Sequence, residues 1–197
     1  MDRYHHGNLK AALLKAAFQL VAKVGMEGFT LREVARRAGV SHNAPYRHFK
    51  SREDLLAALA TEGLRELHEA LQQAVAGAAN DPVSRIRSAA RLYLHFALEN
   101  PSRFHVMFHS QIEWREYAEY TAAYTDSLNL LGDLMRAHPD LSIDIDTAGE
   151  LVWSGIHGIT ELGIARRLWD GNVASLERLV DSAVGIILRG MLRPAER

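Results

Sequence analysis

Between positions 41 and 52 the chain reads Ser-His-Asn-Ala-Pro-Tyr-Arg-His-Phe-Lys-Ser-Arg. Ser41, His42 and Asn43, with Ala44 beside them, put short donors and acceptors at the start of the stretch, and Arg47, His48, Lys50 and Arg52 follow with cationic or titratable groups. This chemistry suits a DNA duplex. Amide and imidazole groups can read the donor and acceptor pattern that base edges present in the major groove. Hydroxyls and cations hold phosphates, which position a protein without carrying sequence information.

The preceding residues supply the elements that would present this stretch. Thr30 opens a short helix in which its hydroxyl accepts the Glu33 N–H and the Glu33 carboxylate returns to the Thr30 N–H, a capping box stapled by Phe29 and Val34. Leu31, Val34, Ala35 and Ala38 recur at helical spacing, and Gly39 stands where the helix stops and positive φ is needed. Val40 plugs the corner and Ser41 caps a second helix beginning His42-Asn43-Ala44. This is a helix-turn-helix, whose second helix enters the major groove N-terminus first. Pro45 has no N–H and crowds the Ser41 carbonyl, so the second helix starts at Ser41 or a residue or two beyond it. Asn8 caps an earlier helix whose face of Leu13, Ala16, Ala17, Leu20, Val21 and Val24 completes the core of the head, with Gly25 and Gly28 at its exit.

Thr30 to Ala38, Gly39-Val40-Ser41 and Tyr46-x-His48-Phe49-x-Ser51-x-Glu53-x-Leu55-Leu56 together resemble the TetR family of bacterial transcriptional regulators. Ala44 and Pro45 depart from that pattern, which usually has a hydroxylated and then an aliphatic residue before the tyrosine. Trp153-x-x-x-His157-Gly158 resembles the signature of a TetR C-terminal domain called WHG, and Tyr4 to Leu9 looks like the entry segment of the same subgroup. The resemblance implies base contacts from His42, Asn43, Ala44 and Arg47, with Thr30, Ser41, Tyr46, His48, Lys50 and Arg52 on phosphates. It implies a homodimer reading a pseudo-palindromic operator. The dimer surface falls on the last two helices, with Ile159, Leu162, Leu176, Val180, Val184, Ile187 and Leu188 as its candidate residues. It further implies a small, apolar or aromatic effector in a cavity lined by Tyr93, Phe96, Phe104, Met107, Phe108, Tyr117, Tyr120, Tyr124, Trp153 and His157. The same residues would equally make a filled core. No cofactor is expected.

The charge distribution agrees with a nucleic-acid-binding head. Of the 23 Lys and Arg and 24 Asp and Glu, residues 1–55 carry ten basic and five acidic, and the remainder thirteen and nineteen. The formal charge of −1 therefore conceals a basic N-terminal quarter. Cysteine is absent, which removes disulfides, thiolate zinc sites and thiol nucleophiles. No leader and no apolar run of membrane-spanning length is evident, so a cytoplasmic protein is expected. The 48% hydrophobic content is enough for a sizeable core.

Periodicity predicts helix throughout and strand nowhere: an all-α chain with a three-helix DNA-binding domain over residues 1–55 and a bundle of about six helices over 56–197. Ser51 and Asp54 open a long helix joining the two, Asp81-Pro82 and Asn100-Pro101 start further helices, and another is expected from Ile112 to Arg136. Pro139 lies in a loop, Asp146 or a neighbour caps an apolar helix through Trp153, and Asn172, after Asp170-Gly171, opens the last. His105, His109 and Glu113 stand four apart and could offer two imidazoles and a carboxylate to a metal, with His95 and Glu99 in reserve, although no metal is expected. No Gly-rich phosphate loop or catalytic constellation supports an enzyme. The function expected is a DNA-binding regulator, most simply a repressor released by its effector; the alternatives are a ligand-independent regulator or an activator and, third, an enzyme built on the helical domain.

Overall fold

The computed structural model describes residues 9–109, 112–138, 140–168 and 171–192. The N-terminal arm with Arg3 and Tyr4 to Asn8 lies outside the described residues, as do Pro139 and Asp170. Among the described residues the chain forms eight α-helices: α1 (Leu9–Val24), α2 (Leu31–Arg37), α3 (Arg52–Ala76), α4 (Pro82–Glu99), α5 (Pro101–His109), α6 (Ala118–Arg136), α7 (Ile145–Ile164) and α8 (Val173–Met191). Two short 3-10 turns stand at Pro45–Arg47 and Trp114–Glu116. Extended pairing among these residues is limited to an isolated antiparallel bridge between Leu141 and Leu192.

Local chemistry accounts for most helix starts. Asp81 accepts the Ser84 N–H at 2.9 Å and Pro82 takes the first helical position of α4. Asp144, two residues before Asp146, accepts the Thr147 N–H at 2.9 Å and caps α7. Asn172 does the same for α8 through Ala174. One expected helix is interrupted. The run from Ile112 breaks into the Trp114–Glu116 turn and an extended Tyr117 before α6 begins at Ala118.

The chain packs as two compact units, one made of residues 1–65 and 101–123, the other of 66–100 and 124–197. The sequence places a boundary at residue 55; packing draws the division farther along α3 and returns α5 to the first unit. In that unit α1 packs against α2 and against α5. Leu13, Ala17, Val34, Leu55, Leu59, Phe104 and Met107 have no exposed surface there. Gly63 lets α3 and α5 approach closely, because a Cβ at that position would lie 2.8 Å from Met107 Sδ. In the second unit α4, α7 and α8 pack pairwise around Leu94, Val152, Leu176, Val180 and Val184.

Candidate nucleic-acid interface

The capping box at α2 is complete. Thr30 Oγ1 accepts the Glu33 N–H at 3.2 Å, and Thr30 N donates to Glu33 Oε2 at 2.8 Å. Gly39 has φ +69 at the corner, and Val40 N donates to the Ala35 carbonyl at 3.0 Å, closing α2 as its orphan carbonyls require.

The second helix takes a tighter form than expected. In an α-helix capped at Ser41, the Ser41 carbonyl would accept the N–H of residue 45, and Pro45 has none. That carbonyl instead accepts Ala44 N–H at 2.9 Å, and Ser41 contributes no side-chain cap to the 3-10 turn at Pro45–Arg47, whose preceding residue is Ala44. The segment expected to read bases therefore begins as a turn over His42 and Asn43 rather than an α-helical N-terminus. Pro45 is buried, Phe49 is 3% exposed, and the Phe49 N–H bonds the Pro45 carbonyl at 2.9 Å. These two apolar residues hold the segment against the unit while Ser41, His42, Asn43, Tyr46, Arg47, His48 and Lys50 stand exposed; Ala44 is half-buried.

Two of the sequence-derived phosphate residues carry structural work as well. Thr30 spends its hydroxyl on the cap, both accepting from Glu33 N and donating to Glu33 Oε2 at 3.0 Å. Arg52 Nη2 donates to the Met26 carbonyl at 3.1 Å while its guanidinium lies 5.8 Å from the centre of the Phe29 ring, pinning the turn between α1 and α2. Asp54, which the sequence marks only as part of a helix cap, also positions the segment. Its Oδ2 accepts Lys50 N–H at 2.9 Å and its Oδ1 accepts the Tyr117 hydroxyl at 3.2 Å. Burial, reinforced by the bond to Asp54, raises the Tyr117 pKa above its ordinary value. The sequence carries a signal for the first of these bonds, the cap spacing from Ser51, but none for the second, which spans 63 positions.

The aromatic residues expected around an effector divide between the units. Phe104, Met107, Phe108, Tyr117 and Tyr120 belong to the first, where Phe104 and Met107 are fully buried and the Tyr120 hydroxyl donates to the Met107 carbonyl at 3.0 Å. Trp114 stacks on Tyr120 with centroids 4.0 Å apart. Tyr93, Phe96, Tyr124, Trp153 and His157 belong to the second. There, Trp153 and His157 share a face of α7 as their spacing requires, with rings stacked 5.0 Å apart. Tyr93 Oη lies 2.7 Å from His157 Nδ1, Tyr124 meets Trp153 edge-on at 6.2 Å, and Phe96 is half-buried on α4. Burial, with Glu150 adding to it, raises the Tyr124 pKa. Gly155 permits close approach, since its Cβ would lie 2.7 Å from Ile187 Cδ1, whereas a Cβ at Gly158 would meet nothing within 4 Å.

Of the candidate dimer residues, Leu176, Val180, Val184 and Leu188 are at most 2% exposed within their own chain, because α8 turns this face onto α4 and α7. They have no surface left for a partner. Ile159 and Ile187 are half-buried, and Leu162 is 44% exposed, alongside Leu151, Leu179 and Ile186, which periodicity alone does not single out. The metal spacing presumed one continuous helix; α5 ends at His109, and Glu113 stands 3.8 Å from Arg115. His95 Nε2 is instead 2.6 Å from Glu177 Oε1, and Glu99 is exposed. Among the described residues no group of three or more His, Asp or Glu side chains is placed to hold a metal ion, and no helix is long and apolar enough to cross a membrane.

An all-helical chain whose basic head presents an exposed polar segment on a buried Pro45–Phe49 anchor has the build of a helix-turn-helix regulator. Residues 13–59 match the bacterial regulatory proteins of the tetR family, and residues 86–185, about half the chain, match the tetracyclin repressor-like C-terminal domain. The chain belongs to the TetR family of DNA-binding transcriptional regulators. A protein of unknown function from Rhodococcus sp. RHA1 is similar over 98% of this chain and 100% of its own, at 30% identity and a TM-score of 0.83. The TetR family transcriptional regulator PfmR from Thermus thermophilus shares the fold at 22% identity and a TM-score of 0.67, covering 92% of this chain and 99% of its own. The transcriptional regulator FadR from Bacillus subtilis, solved in complex with stearoyl-CoA, shares it at 18% identity and a TM-score of 0.74, covering 92% and 98%.

Proposed function

We propose that this protein is a homodimeric repressor that binds a pseudo-palindromic operator and leaves it when a small apolar or aromatic effector binds the C-terminal domain. It acts by binding rather than by catalysis, in the cytoplasm, with residues 1–55 as the DNA-binding domain and 56–197 as the regulatory and dimerising one. The observation that carries the reading is the run of exposed donors from Ser41 to Lys50 on a buried anchor. His42, Asn43, Ala44 and Arg47 face bases, and Ser41, Tyr46, His48 and Lys50 hold phosphates. Arg52 contributes through the part of its guanidinium that the Met26 carbonyl leaves unused, and Thr30, whose two donors are spent on Glu33, contributes by fixing the start of the helix-turn-helix.

Leu151, Leu162 and Leu179, exposed by 39 to 47% on α7 and α8, support a second chain covering those helices. Two-fold symmetry then sets two reading segments about one duplex turn, roughly 34–36 Å, or a multiple apart. The cluster of Tyr93, Tyr124, Trp153 and His157 supports an effector with an apolar body, as does the stearoyl-CoA bound by the B. subtilis FadR. Release requires the effector to bind the non-operator form more tightly; equal affinity for both forms shifts nothing. One observation favours a ligand-independent regulator: Phe104 and Met107 are fully buried, so this part of the aromatic set is filled core, whereas Tyr117 and Tyr120 line a cleft of about 390 Å³.

The test is selection of bound sequences from a random duplex pool at stated salt, followed by screening apolar and acyl compounds for release of the selected probe. A palindrome with fixed half-site spacing is expected. Recovery of no motif by folded protein would sink the reading, and a motif that no compound releases would leave the ligand-independent form.

A further inference from the structure

In the second unit, Arg87 of α4 and Arg189 of α8 converge on Gly185. Arg87 Nη2 and Arg189 Nη1 each lie 3.3 Å from the position a Cβ would take on that glycine. The two cations thus converge on one point over Gly185, where their repulsion favours an anion. Neither guanidinium makes an ion pair or a hydrogen bond among the described residues, and Arg87 Nε is buried without an acceptor. Asp81 and Arg87 interact only weakly, through space. Both arginines line a cleft of about 480 Å³ with Asp181, Ser182, Gly185 and Ile186. The Asp181 carboxylate does not neutralise them, because Arg91 holds both of its oxygens, with Nε to Oδ1 at 2.9 Å and Nη2 to Oδ2. Arg87 and Arg91 also line a second cleft of about 370 Å³ with Ser84 and Ser88.

The geometry points to this Arg87–Arg189 cleft as a binding site for the phosphoryl group of a small phosphorylated molecule. Guanidinium forks match phosphate oxygens two at a time, and Arg87 Nη2 and Arg189 Nη1 converge where one such group could take both. Ile186, 63% exposed, forms an apolar lip for the organic part of such a ligand. A glycine at position 185 leaves the floor open to both guanidinium heads.

Calorimetric titration of the full-length protein at low salt tests this, with inorganic phosphate and phenyl phosphate as probes and without DNA, so that the result is independent of operator reading. One saturable site per chain is expected, tighter for phenyl phosphate, and weakened at least tenfold by Arg87→Gln or Arg189→Gln but not by Arg178→Gln elsewhere on α8. Equal affinity for both probes would locate inorganic phosphate itself as the ligand of the same site. Arg189 is exposed, so its variant carries the test even if Arg87→Gln fails to fold. No saturable binding by the wild type, or undiminished binding in Arg189→Gln, overturns the site. So does an Arg189→Gln chain that loses its dimer while the wild type ignores both probes, because the arginines then serve contact between chains.

Discussion

The Tyr117 hydroxyl donates to Asp54 Oδ1 at 3.2 Å, and the opposite oxygen of the same carboxylate accepts the backbone N–H of Lys50. One side chain therefore ties Lys50, at the end of the exposed 41–50 segment, to a residue 63 positions from Asp54. A hydrogen bond to a charged acceptor contributes about 1.5–3 kcal/mol, and partial exposure puts this one at the low end, about 1.5 kcal/mol. Tyr117→Phe is expected to lower unfolding stability by that amount in urea titration. No change would mean that Asp54 is held by its own helix alone.

Tyr46 is 50% exposed and stands on the reading segment. Tyr46→Phe should leave stability within about 0.5 kcal/mol of wild type and weaken binding to all DNA sequences alike, as loss of a phosphate contact does. A shifted sequence preference in the selected pool would instead place Tyr46 on a base.

Asn43→Ala should relax discrimination at one position of each half-site by about 1–3 kcal/mol if the amide makes a bidentate base contact. Competition binding with single-substituted probes measures it. The turn adopted by residues 41–44 makes this a test of geometry too, because an unaltered motif would mean that the turn points Asn43 away from the bases.

Leu162 and Leu179 are 44% and 39% exposed on α7 and α8. Leu162→Glu and Leu179→Glu are expected to give monomers by sedimentation equilibrium at concentrations where the wild type is dimeric, with reduced operator affinity and a nearly unchanged fold. Dimers that survive both substitutions would move the interface to another face. Val180→Glu, one residue along but wholly buried, should unfold the chain by burying an unpaired charge.

His138 is half-buried, its Nε2 has no hydrogen-bond partner among the described residues, and burial lowers its pKa below the ordinary 6.5, with Asp81 opposing. The folded chain thus binds this proton more weakly than the unfolded chain. Its contribution is fully present above about pH 6.5 and is lost as pH falls through the folded value. Urea midpoints measured from about pH 7 down to 5 should fall less steeply in His138→Gln. An identical slope would assign the acid sensitivity to other groups.

Short-range chemistry determined what could be read from residues alone. Thr30 with Glu33, Gly39, Asp81-Pro82 and Asn172 act within a few positions of themselves, and Trp153 and His157 meet because four residues make about one helical turn. Element order, the helix-turn-helix and the family followed from such signals. Pro45 held one local correction, as the break before Ala118 held another. The missing N–H of Pro45 was visible, but how the backbone would reroute the Ser41 carbonyl depended on the burial of Pro45 and Phe49 against the rest of the unit. Only tertiary structure decided which face of α8 is inside. Leu176, Val180 and Leu179 are equally apolar in sequence, and the packing of α4 and α7 buries the first two while leaving the third to solvent. The same packing brought Arg87 and Arg189 together over Gly185, a relationship between residues on two distant helices of the chain that no periodicity encodes.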